Sequence, residues 1–174
     1  MKKILLALTF VITSVTLNAQ LSERLHLSTS IGTGISMSPP AYTPFTWQAL
    51  GHYEFTNRFS TGIGSGISIY EKILIPLFAD VQFAIIKPRK FTPYLGCSIG
   101  YSFAPDKNAN GGFYLNPSVG VKYKLHSKLQ LFFALGYELQ KLERLKKYEN
   151  SLLTTEFAEK LNHNSISLKM GITY

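Results

Sequence analysis

The sequence predicts an all-β protein: an eight-stranded antiparallel up-and-down transmembrane β-barrel, preceded by a cleaved signal peptide. Three observations carry this prediction. Apolar and polar residues alternate with period two along eight stretches, the pattern of strands with one apolar and one polar face. No stretch beyond the N-terminal region holds 18 consecutive apolar residues, so no membrane helix is predicted. In lipid only helices and closed barrels satisfy their own backbone, which leaves the barrel. The chain also ends on its most regular strand pattern. From Ile166 the even positions are Ile, Leu, Met, Ile and Tyr, and the odd positions are Ser, Lys, Gly and Thr. A chain end this amphipathic is expected to be tied down, because free termini fray.

The N-terminus opens with Met1-Lys2-Lys3, turns apolar from Ile4 to Ile12, and reaches Asn18-Ala19-Gln20. A basic start, a short apolar run and a small residue describe a secretory signal peptide, with cleavage expected after Ala19. Residues 1–19 are thus the signal and 20–174 the barrel. Export sets cytoplasmic enzymes and nucleic-acid binders aside. The formal net charge of +8 falls to +6 without Lys2 and Lys3. The basic residues form no single stripe, so no nucleic acid is expected, and anionic lipid or polysaccharide suits an exported basic protein better. Cys97 is the single cysteine, so no internal disulfide can form.

Strand one is expected from Leu25 to Met37, with Leu25, Leu27, Ile31, Ile35 and Met37 on one face. A proline-stiffened loop follows, Ser38 to Pro44. Strand two runs from about Phe45 to Phe55, and the tight turn Thr56-Asn57-Arg58 leads into strand three at Phe59. Tyr70 to Ile75 reads as a loop, and strand four begins near Pro76. Lys87-Pro88-Arg89-Lys90 is a basic turn before strand five, Thr92 to Phe103. A Gly/Asn-rich loop from Ala104 to Gly112 precedes strand six, which ends near Leu125. Pro117 lacks a ladder N–H, so this strand is expected to start at Ser118 or to carry a bulge. His126-Ser127-Lys128 is a turn into strand seven, where Phe132 falls on the polar face. Lys141 to Asn162 is expected as the longest connection, and strand eight closes the chain onto strand one. Short turns on one side and longer loops on the other are the habit of outer-membrane barrels.

A soluble barrel also alternates, with its apolar face inward, and its other face must then carry many charges to meet water. Here that face is mostly Gly and Ser, and takes ten of the thirteen glycines. The apolar face carries aromatics near strand ends, among them Phe45, Phe55, Phe59, Tyr101, Tyr123 and Tyr174, as interfacial girdles do. The apolar face is therefore expected outside, against lipid. The polar face then lines a narrow lumen just wide enough for its own side chains. His26, His52, Glu54, Asp80, Lys122, Lys124, Glu138 and Lys169 all have lumenal parity and form the candidate polar cluster. Its acids and lysines are expected to neutralise one another, since buried unpaired charge is costly.

With the strands placed, Ile75-Pro76-Leu77-Phe78 through Thr92-Pro93-Tyr94-Leu95-Gly96, with Asn116 to Tyr123, resembles the small outer-membrane β-barrel domain family of Gram-negative bacteria. This family includes the OmpX- and OmpA-like barrels. The resemblance implies a cell outer membrane location, contact with outer-membrane lipid and lipopolysaccharide, and a monomer. It also implies that Leu168, Met170, Ile172 and Tyr174 are the signal read by the outer-membrane assembly machinery. The implied role is non-enzymatic, structural or directed to surface interactions. A narrow porin and a lipid-modifying enzyme are the alternatives.

The remaining motifs are weak. His163-x-Ser165 resembles the His and Ser of lipid A deacylases, yet its parity is lumenal and that chemistry must reach lipid. His26, His52 and Glu54 are zinc-compatible residue types, but hydrogen-bonding lumenal histidines are commoner, and no metal or other cofactor is expected. Gly62-x-Gly64-x-Gly66 has no helix after it and is no dinucleotide loop. Cys97 has lipid-facing parity. Lys141 to Asn162 remains open between an amphipathic helix, β-hairpin extensions and a loop that caps the barrel.

Overall fold

The computed structural model describes residues 24–38, 43–70, 72–106, 109–126, 129–150 and 153–174; the expected signal peptide lies outside them. Eight long strands form one sheet: β1 (Leu25–Ser36), β2 (Phe45–Thr56), β3 (Phe59–Ile69), β4 (Ile73–Ala84), β5 (Phe91–Phe103), β6 (Gly112–Lys124), β7 (Gln130–Asn150) and β8 (Leu153–Thr173). Each pairs antiparallel with its chain neighbours, and β8 pairs back onto β1 from Ser28↔Thr173 to Ser36↔Ser165. The sheet is therefore a closed barrel with no open edge in its wall. The chain end is pinned: Tyr174 N–H donates to the Leu27 carbonyl at 2.7 Å and Leu27 N–H donates to the Tyr174 carbonyl at 2.8 Å.

The period-two pattern decides which face is which. Ile31, Ile63, Leu77, Val81, Leu95, Ile99, Leu135 and Leu168 are exposed on the outside. Ser28, Thr46, Gln48, His52, Asp80, Asn116, Glu138 and Lys169 are buried inside. Aromatic contacts mark both rims of the outer wall. Tyr53–Phe55, Phe55–Phe59 and Phe91–Tyr123 lie on the turn side, and Tyr101–Phe103 on the loop side.

Glycines on the inner face make room for large inward side chains. A Cβ on Gly64 would sit 2.7 Å from the Phe78 ring, one on Gly120 2.7 Å from Tyr94, and one on Gly171 2.6 Å from Phe132. This accounts for Phe132, the aromatic on the polar face: it enters the lumen over Gly171.

Three expectations are corrected. β4 begins at Ile73 and not near Pro76, so the connection after β3 is residues 70–72 rather than Tyr70 to Ile75. β6 begins at Gly112 and runs straight through Pro117 without a bulge. The proline faces Cys97 of β5, while the β6–β7 ladder steps from Leu115↔Leu139 to Ser118↔Gly136 and omits the proline pair. The ladder to β7 is interrupted at the proline, which has no N–H to give, and the unbroken pairing with β5 carries the strand through. Residues 141–150 and 153–162 are strand rather than the longest connection, which is the β-hairpin alternative. β7 and β8 continue as a hairpin to Asn150↔Leu153, well beyond their last pairs with β6 and β1. The asymmetry between the two barrel ends lies in this ribbon and not in loop length.

Candidate functional site in the lumen

The lumen divides into a sealed loop-side half and an open turn-side half. The loop-side half is centred on Glu138 of β7, which is fully buried. Its carboxylate meets the Lys169 ammonium of β8 at 2.8 Å. It also accepts from the Tyr70 hydroxyl at 2.9 Å, the Gln140 amide at 3.1 Å and the Asn116 amide at 3.4 Å. Lys169 further donates to Gln48 Oε1 at 3.1 Å and to the Tyr114 hydroxyl at 3.3 Å. A buried ion pair is tolerated when its remaining donors and acceptors are met in this way.

Above this network the lumen is capped by an apolar cluster of Tyr70, Leu74, Leu142 and Leu161. Leu142 and Leu161 face each other directly at the base of the ribbon, a cross-strand pair turned inward. Tyr70 stacks on His163 with ring centroids 4.9 Å apart. Burial, with the nearby Glu138 charge, raises the Tyr70 phenol far above its ordinary range, so it stays a hydrogen-bond donor.

Lower in the barrel Asp80 of β4 accepts from Ser98 at 2.6 Å and from Gln82 at 3.0 Å, and pairs with His52 at 2.8 Å. A small cavity of about 50 Å³ lies between this cluster and Lys169. At the turn-side mouth a larger cavity of about 340 Å³ opens between the turns. His26 and Glu54 meet there at 3.4 Å, both partly exposed. Lys122 holds its ammonium 5.2 Å from the Tyr94 ring. Lys124 is exposed at the rim.

The eight candidate residues thus face the lumen side but form no single cluster. Glu138 and Lys169 pair, His52 joins Asp80, His26 joins Glu54, and Lys122 and Lys124 line the mouth. Of the expected mutual neutralisation of acids and lysines, Glu138–Lys169 is the one pair of the eight in direct contact. The zinc-compatible trio is split between two carboxylates, and no group of three or more ligating side chains among the described residues is placed to hold a metal. His163 and Ser165 lie inside, 2% and 0% exposed, with no access to lipid. Tyr70, Tyr114, Gln48, Gln140 and Asn116 complete the network and were not singled out from the sequence. The inward parity of Tyr114, Gln48, Gln140 and Asn116 was readable; the convergence of all five on one buried ion pair was not. Leu168, Met170, Ile172 and Tyr174 all point outward from β8, each at least 43% exposed.

A closed eight-stranded barrel with an apolar outer wall and a filled polar lumen has the fold of the small outer-membrane barrels. Solved structures of that class match nearly the whole described chain. Neisserial surface protein A (NspA) matches with a TM-score of 0.57 and 15% identity, over 86% of this chain and 95% of that one. The outer membrane protein AlkL, solved in DMPC lipid bilayers, matches with a TM-score of 0.58 and 13% identity, over 87% and 89% of the two chains. The N-terminal β-barrel domain of Pseudomonas aeruginosa OprF matches with a TM-score of 0.50 and 10% identity, over 86% and 97%. No protein-family model matches the sequence, and neither does any curated protein. At these identities the likeness establishes the fold.

Proposed function

We propose that this chain is an integral outer-membrane barrel, non-enzymatic, with a structural or surface-interaction role carried by the β7–β8 ribbon. The carrying observation is the outer wall. Large apolar side chains are exposed all around it, from Ile35 at 74% and Ile63 at 70% to Phe91 at 60% and Tyr174 at 66%. A wall of that kind in water would be a severe aggregation liability, whereas against lipid it is the stable arrangement. Solved barrels of the same fold that are named as outer-membrane and surface proteins add support.

In this reading the short-turn side faces the periplasm and the ribbon faces outward. The partners are outer-membrane lipid, lipopolysaccharide and the assembly machinery, which would read Leu168, Met170, Ile172 and Tyr174. The protein acts as a monomer, because closure leaves its wall no strand edge to pair. A narrow channel is the weaker reading. The Glu138–Lys169 network and the apolar cap fill the loop-side lumen, and planar-bilayer recordings are expected to show no steady conductance.

Membrane fractionation with heat-modifiable gel mobility tests the proposal. The expected result is recovery in the outer-membrane fraction, release only by detergent, and a mobility shift on boiling. Recovery as a soluble protein without detergent would refute it.

A further inference from the structure

The mouth cavity carries a charge imbalance that the rest of the lumen avoids. Arg58, Arg89, Lys90, Lys122 and Lys124 line it, with Glu54 as the single lining carboxylate among the described residues. Five cations against one anion leave a formal excess of four. Glu54 is already engaged by His26 at 3.4 Å. Among the described residues no carboxylate stands in ion-pair contact with Arg58, Arg89, Lys122 or Lys124. Lys122 is the telling one. It is half-buried on the inner wall, with the Tyr94 ring 5.2 Å from its ammonium, and the Glu54 and Asp80 charges act on it without direct contact. A cation–π contact is worth about 0.5–2 kcal/mol and compensates poorly for lost hydration.

The same cavity holds a second unmet group. Gln82 donates its amide to Asp80 at 3.0 Å, and its Oε1 is buried with no hydrogen-bond partner. Buried acceptors are normally satisfied, so this one asks for a donor. The cavity of about 340 Å³ falls at the small end of ligand-pocket sizes, which run from about 300 to 1,000 Å³. Two arginine forks and two lysines drawn from separate elements suit a tetrahedral oxyanion better than a single carboxylate.

We infer that the turn-side mouth binds a small polyol phosphate, with the phosphate among Arg58, Arg89, Lys122 and Lys124 and a ligand hydroxyl donating to Gln82 Oε1. The phosphate chemistry is shared by soluble sugar phosphates and by the glycerol phosphate headgroup of a phospholipid. The inference concerns the lumen and does not depend on what the ribbon touches.

The test uses the full barrel in phosphatidylcholine nanodiscs, with glucose 6-phosphate and inorganic phosphate as probes in titration calorimetry. Saturable binding of glucose 6-phosphate is expected. Lys122→Met should weaken both probes about tenfold or more, the equivalent of one lost charge-assisted hydrogen bond. Lys122→Arg should restore most of that loss. Gln82→Leu should weaken glucose 6-phosphate and leave inorganic phosphate nearly unchanged. Adding phosphatidylglycerol to the nanodiscs separates the sources. Competition with the probes identifies a lipid headgroup as the occupant, and lack of competition a soluble one; both support an anion site. No saturable binding, or binding indifferent to Lys122→Met, overturns the inference. Each variant is first checked for heat-modifiable mobility, so a binding failure in a folded barrel leaves the outer-membrane assignment standing.

Discussion

The two halves of the lumen are built from the same alternating strands, yet one is closed and the other is open. On the loop side a carboxylate with no exposure sits beneath an apolar cap, and Lys169, Tyr70, Gln140 and Asn116 all bond to it. On the turn side the acid–base pair is half in water, the cations outnumber the acids, and a cavity separates them. Burial makes the difference. Where water is excluded a charge must be matched, because its unpaired cost is several kcal/mol. Where water still reaches, mismatch is tolerated and a ligand can exploit it.

Mutations on the loop side should therefore cost far more than the same chemistry on the turn side. The largest effect is expected for Lys169→Met. It strands the fully buried Glu138 and should destabilise the barrel by about 3–5 kcal/mol. Urea unfolding of the refolded barrel measures this, and adding Glu138→Gln to the same chain should recover much of the loss. A loss under about 1 kcal/mol would mean that this pair is no more protected than a surface one.

Leu142→Ala comes next. Leu142 is 1% exposed and packs against Leu161 in the cap, so the truncation should cost about 2–5 kcal/mol. It also thins the seal and should speed hydrogen exchange at the inward-facing Gln140 and His163 side of the ribbon base. Unchanged exchange would show that the cap is not what excludes water. The smallest effect belongs to Glu54→Gln. The side chain is 41% exposed and its His26 partner 25%, so screening leaves about 0–1 kcal/mol in the same unfolding assay. A loss comparable to that of Lys169→Met would erase the distinction between the halves.

Much of this fold was legible because a strand has period two. Parity alone placed Lys169, Glu138, Asp80 and His52 inside and Leu168, Met170 and Ile172 outside. The pairing of β8 with β1 followed from the need to close the last edges. Partner choice was not legible. Lys169 faces Ala134 in the ladder and Glu138 faces Ser165, four positions away, so the ion pair forms on a diagonal that depends on strand tilt and side-chain reach. The ribbon was one of three readings left open, for a different reason. The inward parity of Glu138 and Gln140 continues to Leu142, and that of Lys169 and His163 continues to Leu161. There the chemistry on that parity turns from polar to apolar, so the pattern stops where the strand does not. Pro76 and Pro117 misled in a third way: each interrupts the ladder to one neighbour, yet the strand runs on through unbroken pairing with the other.

The central claim is that the apolar face meets lipid, and Trp47 tests it most directly. It is the single tryptophan of the chain, lies on the outer wall of β2 and is 45% exposed. The barrel is reconstituted in vesicles of phosphatidylcholine with brominated acyl chains, and its fluorescence is compared with that in unbrominated lipid and in aqueous iodide. An outward apolar wall predicts strong quenching by the brominated chains and little by iodide. Efficient iodide quenching with no effect of bromine would contradict the account.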